Sequence, residues 1–447
     1  MPRKDRYSRD SHCHSQTLTC TRAGTTICID WTLCGSANQV SLGDAAQVNP
    51  RLMSACEHGY APSRPTHSGS SRPTTATCSF TASPEPAQLL DVLQTAPGLL
   101  QAMSPKTMAT LSATSRQLHS LVHGHVTSIS IIQHNGHGTQ YQIMEMQALT
   151  SGSWPHLQRL NIKYRAKLEA AAITQLSKAS WSSLVSLDMS RNSLGADAMS
   201  QLVKGNWPAL KQLNLSSNRL DTAAMVWLTQ ADWSLEELHL SDNRIDLEAM
   251  QELIQGRWPK LTQLTLRWNK LDAHTIAVLA KAEWPLRQLE LGQNSLDANA
   301  MTLLAEAPWH DLESLGLAGN CLLQTPAAAM ARCQAAWPNL VNLDLSNCCL
   351  GGADMAGLCT ASWPKLSSVH LWDNCFDEIS VTHLVKTYWP ALNFLCLRSN
   401  CLDDAAVKIL VHSSWPQLEY LDLRENNALT QDAINFVSNV LRCVAVF

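Results

Sequence analysis

Residues 207–220 read WPALKQLNLSSNRL, and the phrase returns throughout the last two thirds of the chain. Its leading tryptophan recurs as Trp154, Trp181, Trp207, Trp233, Trp258, Trp284, Trp309, Trp337, Trp363, Trp389 and Trp415, at intervals of 25–28 residues. A fixed period of that length means one supersecondary unit stacked on copies of itself, because no single unit can bury its own apolar side. The architecture follows from this before any other feature is read. Function narrows with it, since such stacks present extended binding surfaces.

Within Leu210-x-x-Leu213-x-Leu215 a short strand alternates inward and outward with period two, sending Leu213 and Leu215 to the core and Gln212, Asn214 and Ser216 out. Neighbouring strands are expected to pair in parallel, each coil satisfying the backbone of the next. Three residues on, an asparagine recurs at Asn192, Asn218, Asn243, Asn269, Asn294, Asn320, Asn374, Asn400 and Asn426, with Cys348 in that slot once. An amide both donates and accepts, which suits a turn leaving a strand. A helical half follows, opened by Asp221, with Met225 and Leu228 as its inward stripe. Trp-Pro then breaks the helix and feeds the next strand. The tryptophan column is read as a buried stack joining coils.

Composition excludes several classes. The formal net charge of −4 gives no whole-protein attraction for nucleic acid or anionic membrane. No run of 18 apolar residues is present, and no apolar stretch follows Met1-Pro2-Arg3-Lys4, so neither a spanning helix nor a secretory signal is expected. Fifteen cysteines without an export signal argue for reduced thiols and a cytoplasmic protein, with the cytoskeleton, cilium or nucleus as compatible sites.

Three segments are expected. Residues 1–83, rich in Ser, Thr, Pro, Cys and His, read as a disordered tail. His12, Cys13, His14, Cys20, Cys28 and Cys34 lack the Cys-x-x-Cys spacing of structural zinc sites, so no metal or other cofactor is expected. Residues 84–125 carry apolar residues at helical intervals, split by Pro97 and Pro105, and form a small helical module or cap. Its stretch Met103–Leu118 (MSPKTMATLSATSRQL) resembles the second half of an F-box, although the usual opening Leu-Pro is missing. That resemblance implies docking on a cullin-ligase adaptor through Leu99, Leu100, Pro105, Met108 and Leu111. From 126 to 447 the repeats resemble the leucine-rich-repeat family, of the helix-bearing ribonuclease-inhibitor-like type. The resemblance implies an α/β solenoid of about twelve coils, with parallel strands on a concave face and short helices on a convex one. Val126, Ile129 and Ile131 begin an atypical first coil.

Function should lie where the repeat leaves residues free. Between the last two strand leucines, Asp344, His370 and Cys396 fall side by side in the order of a nucleophilic triad. A strand face whose amides are engaged by neighbouring strands offers no oxyanion donors and excludes no water, so a Cys-His-Asp hydrolase is set aside in favour of a non-catalytic protein. The next outward column ends in Trp372, Arg398 and Arg424 beside Phe394 and Tyr420, residue types that anchor interfaces. With His370, and with Arg267 and Trp268 further back, these are the candidate partner-binding residues. Gly292, Gly316 and Ala318 leave the middle coils bare. Cys321, Cys349, Cys375 and Cys401 share one slot in four consecutive coils and are expected to be reduced. No phosphate loop or metalloprotease motif occurs, and the outward charges are mixed, which disfavours nucleic acid.

The expectation is therefore a monomeric protein-recognition solenoid that binds protein partners on its concave face. Either it serves as an F-box-type substrate receptor of a ubiquitin ligase, or it is a cytoskeletal or ciliary scaffold without ligase ties.

Overall fold

The computed structural model describes residues 14–22, 25–33, 126–132, 139–152, 154–163, 167–322, 336–361, 363–440 and 443–447. The chain divides into two compact units, Met1–Ile129 and Ser130–Phe447. In the first, β1 (His14–Arg22) and β2 (Thr25–Leu33) form an antiparallel pair, from His14 opposite Leu33 to Arg22 opposite Thr25. This hairpin stands inside the segment expected to be a disordered tail. Its β-branched alternation, TLTCT against TICID, is a strand signal that the Ser/Thr/Pro composition around it obscures. The F-box-like stretch and the rest of residues 84–125 lie outside the described residues.

The second unit is built on a single sheet of thirteen strands whose spatial order is their chain order. After β3 (Ser128–Ile132) come β4 (Arg159–Lys163), β5 (Ser186–Asp188), β6 (Gln212–Asn214), β7 (Glu237–His239), β8 (Gln263–Thr265) and β9 (Gln288–Glu290). They continue as β10 (Ser314–Gly316), β11 (Asn342–Asp344), β12 (Ser368–His370), β13 (Phe394–Cys396), β14 (Tyr420–Asp422) and β15 (Val444–Val446). Pairing is parallel and equivalent residues stand opposite, as with Leu213 beside Leu187 and Leu238. The described helices are α1 (Thr139–Ser151), α2 (Ala170–Leu176), α3 (Ala196–Leu202), α4 (Thr222–Thr229), α5 (Leu247–Leu253) and α6 (Ala273–Leu279). After them come α7 (Ala298–Ala305), α8 (Gly352–Leu358), α9 (Glu378–Leu384), α10 (Asp404–Leu410) and α11 (Gln431–Val440). None is long and apolar enough to cross a membrane.

The leucine positions do what their spacing requires: Leu210, Leu213, Leu215, Leu220 and Leu228 are fully buried between sheet and helices. Truncating any one to alanine should cost ~2–5 kcal/mol. Helix starts are fixed by aspartate. Asp221, Asp246, Asp272, Asp377 and Asp403 each accept the backbone N–H three residues on, at 2.9–3.1 Å. Each such cap contributes about 1 kcal/mol. Gly195 and Gly351 occupy the same slot without a side chain to cap.

All eleven tryptophans of the column are buried, none more than 6 % exposed. Trp181, Trp207 and Trp233 stack ring on ring at 6.1 and 5.8 Å. Four of the column's indole N–H groups reach back to the preceding coil, as where Trp207 donates to the Ala179 carbonyl at 3.1 Å and Trp309 to that of Ala282 at 3.1 Å. Those of Trp337, Trp363 and Trp389 are buried without a partner among the described residues. Where the residue two before the tryptophan is glycine, the ring packs into the space of the missing Cβ. A Cβ added to Gly205 or Gly256 would sit 2.5 or 2.4 Å from its own tryptophan ring. The same slot holds Ala179, Ala231, Ala282 and Thr387 in other coils, where a Cβ is accommodated, so the close approach of the ring is particular to the glycine coils.

The asparagine ladder is a bridge between coils. Asn218 Oδ1 accepts the N–H groups of Asn192 and Leu194 in the preceding coil, both at 3.0 Å, while Nδ2 donates to Leu215 at 2.8 Å and Met189 at 3.1 Å. Asn243, Asn269 and Asn426 repeat the pattern. In the odd coil the Cys348 sulfur lies 3.3 Å from the Leu317 carbonyl oxygen and 3.4 Å from that of Ser346, and its single S–H can serve one of them. Burial pushes that thiol up to about 12. The residue before each slot adopts a left-handed backbone, from Arg191 and Ser217 through Trp268 and Gly319 to Glu425. Glycine takes this conformation freely, whereas the other residue types are held in it by the ladder.

The candidate recognition face

Because equivalent residues of adjacent strands stand opposite, the outward side chains fall into straight columns about 4.8 Å apart. At the β12–β14 end this places three rings in contact. His370 lies 4.8 Å from Phe394, centroid to centroid, and Phe394 stacks on Tyr420 at 5.2 Å with an interplanar angle of 2°. The His370 ring is steadied by Ser368, 3.2 Å from its Nε2. Trp372, two residues beyond His370, is 39 % exposed. The arginines beside the rings carry acidic partners. Arg424 grips Asp422 with two bonds, from Nε at 2.9 Å and from the guanidinium tip at 2.6 Å. That fork holds the Asp422 carboxyl below the usual aspartate value despite its burial. Arg398 pairs with Glu425, which Ser399 also reaches at 2.5 Å.

Arg267 and Trp268 belong elsewhere on the face. They sit at β8, four strand spacings from β12, roughly 19 Å at the usual interval. Arg267 pairs with Glu290 of the next strand at 3.6 Å, and Trp268 is 59 % exposed at a left-handed turn position. The middle coils are less bare than their glycines imply. A Cβ on Gly316 would meet Glu290 Oε2 at 2.0 Å, and one on Gly292 would meet the Arg267 guanidinium carbon at 3.3 Å. Side chains from the preceding strand therefore lie across these glycines. Burial there raises the Glu290 carboxyl above its ordinary value, against the opposing pull of Arg267 and with help from Asp344.

One strand, one asparagine-bridged turn and one short helix per 25–28 residues, with leucines filling the space between, define the unit. The leucine-rich-repeat family model matches residues 234–253, a stretch that includes β7 and its turn. The fold is that of a leucine-rich-repeat solenoid. Among solved structures it is similar to an internalin (InlF) from Listeria monocytogenes, at 16% identity over 70% of this chain and 81% of that one, with a TM-score of 0.43. A chain of the yeast Rad7–Elc1 complex is 16% identical over 81% of this chain and 92% of its own length, with a TM-score of 0.49. One from the TLR13–ssRNA13 complex is 20% identical over 72% of this chain and 46% of that one, with a TM-score of 0.42. No curated protein matches the sequence.

On the leucine-rich-repeat face the three triad-like residues are neighbours in register, yet they do not work together. Asp344 stands opposite His370, and His370 opposite Cys396. The His370 ring instead meets Ser368, Asp344 accepts from the backbone of Ser346 at 3.0 Å, and the Cys396 thiol points to Asp422 at 3.8 Å. Among the described residues no hydrogen bond links the three. Burial raises the Cys396 thiol, opposite to what an activated nucleophile needs. No group of three or more metal-ligating side chains with metal-site geometry occurs among the described residues.

Sequence columns missed two features. Glu425, the partner of Arg398, lies in the turn one coil on, outside the strand columns. A signal was available: Arg398 and Glu425 sit 27 residues apart, one period plus one. The second is β15, whose Val-Ala-Val lacks the leucine phrase, although it pairs with β14 in the common register.

Proposed function

We propose that the outward strand face at its β12–β14 end is a non-catalytic protein-recognition surface. The observation that carries this is the continuous ring surface of His370, Phe394 and Tyr420, flanked by exposed Trp372. Large rigid side chains offer contact area at small entropic cost and dominate interface energetics. Arg398 and Arg424 already hold acidic partners, so they frame the rings with oriented donors and little free charge. The partner surface should accordingly be apolar at its centre and polar at its rim. The test is affinity capture from cell extract with quantitative mass spectrometry, comparing wild type with Trp372→Ala and Phe394→Ala. Loss of a common set of partners, with the melting temperature held within a few degrees, supports the reading. Capture unchanged in both variants rejects it.

The F-box-like stretch gives this reading a finer form, in which residues 84–125 dock on a cullin-ligase adaptor through Leu99, Leu100, Pro105, Met108 and Leu111 while the solenoid holds the target. Recovery of adaptor and cullin by the full chain, abolished by deleting 84–125, supports it. Their absence from the wild-type capture favours the cytoskeletal or ciliary scaffold. The cytoplasm suits both.

A further inference from the structure

Cys321, Cys349, Cys375 and Cys401 are all free and exposed, one in each of four successive coils. The backbone holds them opposite one another, since ladder bonds close on both sides of each pair. Gly319 N–H donates to Ser346 at 2.8 Å and Leu322 N–H to Cys348 at 3.2 Å, bracketing Cys321 against Cys349. In the following coils Asn347 N–H donates to Trp372 at 2.7 Å, Cys375 N–H to Leu350 at 2.9 Å and Cys401 N–H to Phe376 at 2.9 Å. Chains clamped at this interval have Cα separations within the ~4.4–6.8 Å that a disulfide spans. Cys349 has a cysteine on each side, and of the two it couples more directly to Cys321. Desolvation raises the Cys349 thiol first, followed by the charge of Cys321 and a hydrogen bond with it, and Cys375 acts only through its charge. Cys348, adjacent in sequence, is buried and turned to backbone carbonyls, so it does not compete.

We infer that Cys321 and Cys349 form a redox-responsive dithiol that closes into a disulfide stapling the β10 and β11 coils together. The oxidant class is a small-molecule disulfide, with glutathione disulfide as the probe. One thiol of the pair loses its proton to solvent, and the thiolate attacks a glutathione sulfur, expelling one glutathione and leaving a mixed disulfide. The second thiolate attacks the protein sulfur of that mixed disulfide, forms the Cys321–Cys349 bond and releases the second glutathione. Two protein thiols are oxidised by two electrons, and one glutathione disulfide is reduced to two glutathiones. The thiolate is the attacking species, so closure speeds up as pH rises.

The experiment equilibrates the reduced full-length chain across ratios of glutathione to glutathione disulfide. Acid quenching, alkylation and peptide mapping by mass spectrometry follow. A peptide joining the Cys321 and Cys349 segments should grow as the disulfide share rises, vanish in Cys349→Ser and in Cys321→Ser, and persist in Cys375→Ser. Persistence of the link in Cys349→Ser would assign it to another thiol of the same peptide and overturn the pairing. So would Cys321 and Cys349 remaining separately alkylated, or each carrying its own glutathione, across the whole range.

Discussion

Replacing Asn218 by alanine should do far more damage than its small volume suggests. The substitution removes the Oδ1 that receives the Asn192 and Leu194 N–H groups and the Nδ2 that serves Leu215 and Met189. Asn192 and Leu194 are fully buried, so water cannot replace the lost acceptor without opening the turn. An unsatisfied buried group costs ~1–3 kcal/mol, and two of them put the loss at about 2–6 kcal/mol. The reverse change has a natural host. At Cys348 a weak sulfur contact stands where an amide would make the full set of bonds, so Cys348→Asn should stabilise by ~1 kcal/mol. The assay is urea unfolding followed by circular dichroism, with native-state hydrogen exchange at Asn192 and Leu194 as the local readout. Exchange in Asn218→Ala should accelerate at those two amides ahead of amides in distant coils. Unchanged protection there, or a stability loss below about 1 kcal/mol, would refute the idea that this amide locks the preceding turn.

Gly256→Ala should cost ~1–3 kcal/mol, because its Cβ must displace the Trp258 ring 2.4 Å away. A shifted indole emission and a lower urea midpoint would check it, and an unchanged midpoint would contradict the packing argument. Acid should weaken the fold through aspartates held below their ordinary value of 3.8: Asp272 by the Thr275 N–H, Asp377 by the Ser380 N–H and Asp422 by the Arg424 guanidinium. A folded value below the unfolded one gives stability that is complete above pH 3.8 and lost as pH falls through the folded values. Glu290, raised by burial, acts in the opposite sense at somewhat higher pH, where its protonation favours the fold. Thermal melts between pH 7 and 2 should therefore fall steeply only at the acid end. The Asp272→Asn/Asp377→Asn variant keeps capping groups without the titration, so its acid limb should be shallower; an identical limb would exclude the caps as the source.

The strand register, the buried tryptophans and the asparagine slot were legible because each repeats with the coil, so a residue type and its role can be read across copies. Leu213 declares its direction through Leu187 and Leu238 as much as through its own neighbours. What stayed hidden depends on side chains crossing between coils. Nothing local in Gly316 says that Glu290 will lie over it, and Arg398 finds its partner in a turn. The glycines two ahead of Trp207 and Trp258 were visible but not informative until the ring was seen pressed against them. The β1–β2 hairpin was masked by composition. At the candidate site, the aromatic identities were readable and their ring-to-ring contacts were not, since Phe394 and Tyr420 could equally have splayed apart. The triad-like order of Asp344, His370 and Cys396 was also readable, but where their side chains turn was not, because adjacency in register does not fix rotamers.

The asparagine bridges all run one way: every amide ties down the turn that came before it. On a ribosome, each new coil would thus leave the exit tunnel with its own bend still loose, and that bend would tighten only once the following asparagine had also emerged. Maturation should trail elongation by one full period. A pause that leaves the Asn192 bend outside the tunnel and Asn218 still within it would expose that bend to proteases, and one that lets Asn218 emerge would not.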